Sequence, residues 1–254
     1  MLKASRIALV GSLGWVFLAW LAVYLIDVQD FMGLRTLRMS PDGPRGIWSA
    51  IFSTHGPTEL LQWFGLFGAA IAGAAVAGRI GSKFWLFLTI AIALVMLEDT
   101  LDLCNQVAHI SLFFGPPTNN PPTALAELVA QLFDFAVISS FAAIAVLRYG
   151  LREWKESGGL AKGLILSGLT MYVLVAAYHV LPGVQNGIGH FINDVIAGGE
   201  LNGKGYYFAN YGPDAIVNII ADTIVEEAGE LIGAGLLLAG ALVRWEGLSS
   251  RKVV

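Results

Sequence analysis

Residues Phe84 to Ile110 read FWLFLTIAIALVMLEDTLDLCNQVAHI. Fourteen residues pass, Phe84 to Leu97, before the first charge, and then Glu98, Asp99 and Asp102 arrive within five positions. An apolar run of this length reads as a helix crossing a bilayer, because a hydrocarbon core about 30 Å thick takes about 20 helical residues. The acids make the run unusual. At 1.5 Å per residue, Glu98 lies about 21 Å along the helix from Phe84, well inside the membrane.

The rest of the chain supports that setting. Of its 254 residues 56% are hydrophobic and only 13% charged, about half the charged share of a soluble domain. This excludes a disordered chain, a nucleic-acid binder and an ordinary soluble enzyme. Six stretches have the length of a span: 7–26, 58–78, 84–112, 124–147, 162–181 and 214–243. Continuous apolar runs, without the every-second-residue alternation of an outer-membrane barrel, give an all-α polytopic bundle in a single membrane domain. The first stretch follows Lys3 and Arg6 and has no convincing small-x-small cleavage site after it, so it reads as an uncleaved transmembrane helix.

Orientation follows from Lys and Arg. With the N-terminus cytoplasmic, the inner face holds Lys3, Arg6, Arg79, Lys83, Arg148, Arg152, Lys155, Lys162, Arg244, Arg251 and Lys252. The outer face holds Arg35, Arg38, Arg45 and Lys204. The 11-to-4 split uses all 15 basic residues. It places both termini inside, in a plasma or inner membrane, and leaves no Lys or Arg for the interior. The outer loops are the longer ones. GPPTNNPP at 115–122 is a stiff turn that ends one helix and starts the next. Residues 184–197 fit a short surface helix. The aromatic run Tyr206, Tyr207, Phe208 and Tyr211 fits an interfacial belt. Gly65, Gly68 and Gly73, and Gly229, Gly233 and Gly235, suit close helix packing. The single Cys104 excludes an intramolecular disulfide and a cysteine-based zinc site.

A second acidic motif matches the first. Val225-Glu226-Glu227-Ala228-Gly229-Glu230-Leu231 and Leu97-Glu98-Asp99-Thr100-Leu101-Asp102-Leu103 share the pattern acid-acid-x-x-acid-Leu. Asp222 adds an acid one turn before Glu226, and Asp134 lies inside the fourth stretch. Glu98, Asp102, Asn105, Gln106 and His109 form one stripe at helical spacing; Asp222, Glu226 and Glu230 form another. Asp99 and Glu227 lie about 100° off those stripes. The two motifs leave open an inverted repeat of three helices each, which would put a site near the midplane.

Eight carboxylates cannot stay bare in lipid, where even a mild scale charges about 2.5–3.5 kcal/mol for each. They carry protons, hold cations or line a water-filled cavity; the bland alternative is neutral acids that only lock helices together. The favoured expectation is binding and passage of protons or metal cations through a carboxylate cluster of Glu98, Asp99, Asp102, Asp134, Asp222, Glu226, Glu227 and Glu230. Hard cations such as Ca²⁺, Mg²⁺ or Mn²⁺ suit such ligands. One alternative is an intramembrane metal-dependent enzyme, with a divalent metal on Glu98, Asp102, Glu226, Glu230, His109 and His179. His190 is a further outer-side histidine. The Glu-x-x-His spacing of carboxylate-bridged di-metal bundles does not occur. The other alternative is a non-catalytic subunit whose partners are membrane proteins or further copies of the chain. No grouping of Ser, His and Asp or of Cys and His points to a hydrolase.

Overall fold

The computed structural model describes residues 3–29, 31–34, 39–40, 43–44, 47–52, 56–101, 133, 136–180, 187–188, 190–191 and 225–250. The long elements are helices. α1 is Lys3–Ala22 and runs into a π turn, Val23–Val28. A two-residue ladder pairs β1 (Met39–Ser40) with β2 (Gly43–Pro44), Met39 opposite Pro44 and Ser40 opposite Gly43. Then come α2 (Ile47–Phe52), α3 (Pro57–Ile80) and α4 (Lys83–Leu101). Residues 136–143 are helical and continue through a π turn, Ile144–Tyr149, into α5 (Gly150–Glu156). α6 is Gly159–Val180 and α7 is Glu226–Ser250.

Among the described residues, five helices are long and apolar enough to cross a membrane: α1 with its π turn, α3, α4, α6 and α7. Their outer faces carry bare apolar side chains, among them Ile7, Val10 and Phe17 on α1, Phe64 and Ile71 on α3, and Val173 and Leu174 on α6. Such faces suit lipid rather than water. Residues 102–132, which hold the 115–122 turn and the start of the fourth expected span, lie outside the described residues; so do most of the 184–197 segment and the 206–211 aromatic run.

The chain divides into two compact units. One takes Lys3–Gly65 and Leu164–Leu237. Here α1 with its π turn, α2 and the start of α7 meet around Ala19, Phe52 and Ala228, with Val16, Trp20, Val23 and Ile51 packed against them. Glycines set the spacing. A methyl group at Gly229 would lie 2.7 Å from Val175 Cγ2, and one at Gly233 would lie 2.9 Å from the Tyr172 ring. One at Gly235 would collide with Ser12. One at Gly65 would lie 3.1 Å from Ala234 Cβ. The expected packing role of these glycines therefore holds, and their absent side chains let backbones approach.

The other unit takes Leu66–Gly163 and Leu238–Val254. α3 turns into α4 through Gly81, whose φ of 62° a side chain would resist. Ser82 caps α4, its Oγ accepting the Trp85 N–H at 3.5 Å. Phe87 of α4 stacks on Tyr149 with centroids 5.7 Å apart and leans on Phe141 at 6.2 Å. Gly73 faces Thr89 and Trp85 across the α3–α4 contact, and Gly68 packs on Leu238. α7 runs to Ser250, seven residues past the expected end at 243. The extension has a cause. Arg79 Nη1 donates to Ser249 Oγ (3.3 Å), Nη2 donates to the Leu248 carbonyl (3.2 Å), and the guanidinium lies 5.1 Å over the Trp245 ring. A cation thus covers the helix end where the dipole favours it.

Candidate functional site

The acidic motif of α7 is built into the first unit. Pro57 opens α3 where its missing N–H costs nothing. One face of α3 then buries Thr58, Glu59, Gln62 and Leu66, with Glu59 4% and Gln62 1% exposed. Gln62 Nε2 donates to Glu230 Oε2 at 3.0 Å. Tyr172 of α6 donates its hydroxyl to the Glu230 carbonyl oxygen at 3.2 Å. Glu230 is thereby held by side chain and backbone from two neighbouring helices. Glu226 and Glu227 precede it by one turn and are half-buried.

The register extends the cluster. Gln62 meets Glu230 and Gly65 meets Ala234, so α3 and α7 run parallel here. Stepping back three residues from Gln62 puts the buried Glu59 level with Glu226 and Glu227. Trp15 Nε1 of α1 donates to Thr58 Oγ1 at 3.0 Å, fixing the start of α3. Asp27, 4% exposed in the π turn, accepts the Ile47 N–H at 2.8 Å and caps α2.

The other candidates are placed less fully. Glu98 and Asp99 sit half-buried in the last turn of α4, between the exposed Leu97 and Leu101. Thr100 donates its hydroxyl to the Met96 carbonyl at 2.6 Å, a bond within that helix. These two acids belong to the unit of Leu66–Gly163, whereas Glu226, Glu227 and Glu230 belong to the other. Asp102, Asn105, Gln106, His109, Asp134 and Asp222 lie outside the described residues. His179 is on α6, with its side chain outside them; His190 is exposed. Among the described residues, no three His, Cys, Asp or Glu side chains are grouped so as to hold a metal ion.

The sequence reading missed Glu59 and Gln62, although their spacing with Leu66 and Ala69 marks one helix face. It also missed a buried ionic centre. Glu153 of α5 is 6% exposed and Arg244 of α7 is 6% exposed. Arg244 Nε donates to Glu153 Oε1 at 2.8 Å. The same oxygen accepts the Trp85 indole N–H at 2.8 Å and the Ser157 hydroxyl at 2.6 Å. Oε2 accepts Ser82 Oγ–H at 3.2 Å, and Arg244 Nη1 donates to the Glu156 carbonyl at 3.2 Å. Burial alone would push the Glu153 carboxyl up, but Ser157, Trp85 and Arg244 outweigh it and hold it below its ordinary value. Arg244, expected among the 11 inner-face cations, is thus buried against Glu153 rather than open to solvent. Fully partnered, the pair has the chemistry of a clamp.

No protein-family model matches the chain, and no curated protein or solved structure is similar to it.

Proposed function

We propose that the chain is a six-span membrane protein with cytoplasmic termini, lying in a plasma or inner membrane, whose carboxylates bind and pass protons or hard cations. The observation that carries the reading is Glu230. It sits on a helix long and apolar enough to span, held by the buried Gln62 amide, level with a buried Glu59 one turn away along α3. The sequence contains no Lys or Arg between Lys204 and Arg244, nor between Arg45 and Arg79. Carboxylates gathered on such stretches are stable when they share protons or a cation, and exchange of either is the elementary step of translocation. Glu98 and Asp99 on α4, with Asp102, Asp134 and Asp222, extend the acidic set.

Within the unit of Lys3–Gly65 and Leu164–Leu237, α7 is parallel to α3 and α6 is antiparallel to α7, because Gly229 meets Val175 while Gly168 meets Leu237. The sixth crossing of this reading is the segment 124–147, whose apolar length suits a span.

The test is ion flux in proteoliposomes. A proton or divalent-cation flux that falls toward the empty-liposome baseline in Glu98→Gln and Glu230→Gln is the expected result. A folded wild-type protein that passes neither ion overturns the reading.

A further inference from the structure

Residues 144–156 form a single helical run, the π turn Ile144–Tyr149 leading into α5. Its side chains sort onto three sides. Ala145 and Glu153 face inward and are buried, Glu153 in the ionic centre. Leu147 and Leu151, four residues apart, are 80% and 78% exposed. Arg148, Arg152 and Lys155 are exposed on the remaining side. Lys83 adds a fourth cation, since its exposed ammonium lies 5.8 Å over the ring of Tyr149, the residue after Arg148. Glu156 offsets one of these charges through Arg152, at 3.2 Å, and Glu153 is matched by Arg244. Four cations less one acid leave a net +3 on this surface.

Bare leucines directly beside bare arginines are solvated completely by neither water nor hydrocarbon. They fit the boundary between the two, where apolar side chains meet acyl chains and cations meet headgroups. Covalent continuity puts the surface there. Lys83 is the first residue of α4, a candidate span, and α6, another, begins three residues after Glu156. The run is also held rigidly, because Glu153 is bonded to Trp85, Ser82 and Arg244 on neighbouring helices. Its exposed side is therefore presented in a fixed orientation.

We propose that Lys83, Arg148, Arg152 and Lys155, with Leu147 and Leu151 beside them, form a docking surface for anionic phospholipid. Guanidinium groups meet the phosphate with charge-assisted hydrogen bonds, and the two leucines lie along the lipid chains. The occupant is a lipid rather than a soluble anion because the cations flank apolar surface at the start of two spans. The inference rests on the membrane assignment and is independent of ion passage.

Native mass spectrometry of the purified full chain, with chain-matched phosphatidylglycerol or phosphatidylcholine added, tests it. Wild type should retain phosphatidylglycerol at lower lipid concentration than phosphatidylcholine. The triple variant Lys83→Gln, Arg148→Gln, Lys155→Gln should need roughly tenfold or more phosphatidylglycerol for equal occupancy, and Lys83→Arg, Arg148→Lys, Lys155→Arg should bind as wild type does. Equal retention of the two lipids by wild type overturns the proposal. So does a triple variant that melts like wild type and binds phosphatidylglycerol unchanged. Displacement of the lipid by millimolar inorganic phosphate would also overturn it, assigning the surface to a soluble anion. If the triple variant fails to fold, the comparison of the two lipids on wild type decides.

Discussion

At the scale of single residues, Glu153 shows how a charge becomes tolerable inside a bundle. Its two oxygens accept four donors, one of them the Arg244 guanidinium. Removing the carboxylate while leaving Arg244 buried strands a charge, which costs about 3–5 kcal/mol. Glu153→Ala should therefore lower the thermal unfolding midpoint in detergent sharply, and Glu153→Leu with Arg244→Met should recover much of the loss. An equally unstable double variant would mean the pair itself, and not the stranded partner, supplies the stability. The pH dependence has a definite sign. The folded Glu153 value is held below the ordinary 4.5. Its stabilisation is present above the unfolded value and lost as pH falls through the folded one. Wild type should thus lose stability on acidification below about pH 4.5 more steeply than Glu153→Gln, read from unfolding midpoints across that range.

At the scale of elements, the contact between α6 and α7 depends on what is missing from the side chains. Gly233→Ala would put a methyl group 2.9 Å from Tyr172 Cε2, 3.0 Å from Cδ2 and 3.4 Å from Met171 Cβ. Overpacking of this kind costs about 1–3 kcal/mol, and it would also disturb the Tyr172 hydroxyl that donates to Glu230. Gly247→Ala on the same helix meets nothing within 4 Å and should be neutral or slightly stabilising, because alanine is the better helix former. Equal melting of the two variants would remove glycine packing as the cause. These glycine contacts were legible in the sequence, as were the five long helices, because apolar runs and small-residue spacing are local signals. The end of α7 was not. Arg244 reads as one more inner-face cation, and only the fold reveals that it pairs with the buried Glu153 and that Trp245 lies under Arg79. Glu153 was equally hidden, since three of its four partners lie 68, 71 and 91 residues away and only Ser157 is near it in sequence. Glu59 and Gln62 stood between these cases: their spacing was visible, but polar residues at a helix start pass for ordinary first-turn groups.

At the scale of the whole molecule, the directions of the helices constrain what the sequence can only count. α1 runs opposite to α7, as the approach of Gly235 to Ser12 and of Ala228 to Ala19 requires. α3 and α7 run together, and α6 runs against them. The proposed sixth crossing is the segment 124–147. Such a crossing would put Asp134 within the membrane and both termini on one side, the arrangement that the excess of Lys and Arg favours. Single cysteines in a Cys104→Ser background, labelled by an impermeant thiol reagent from either side of sealed vesicles, test the arrangement. Lys3→Cys and Gly158→Cys should react from one side, and Thr118→Cys and Asn202→Cys from the other. Labelling of Thr118→Cys from the same side as Gly158→Cys would leave no crossing in 124–147. It would overturn the six-span arrangement, on which a shared depth for the acids of the third, fourth and sixth spans depends.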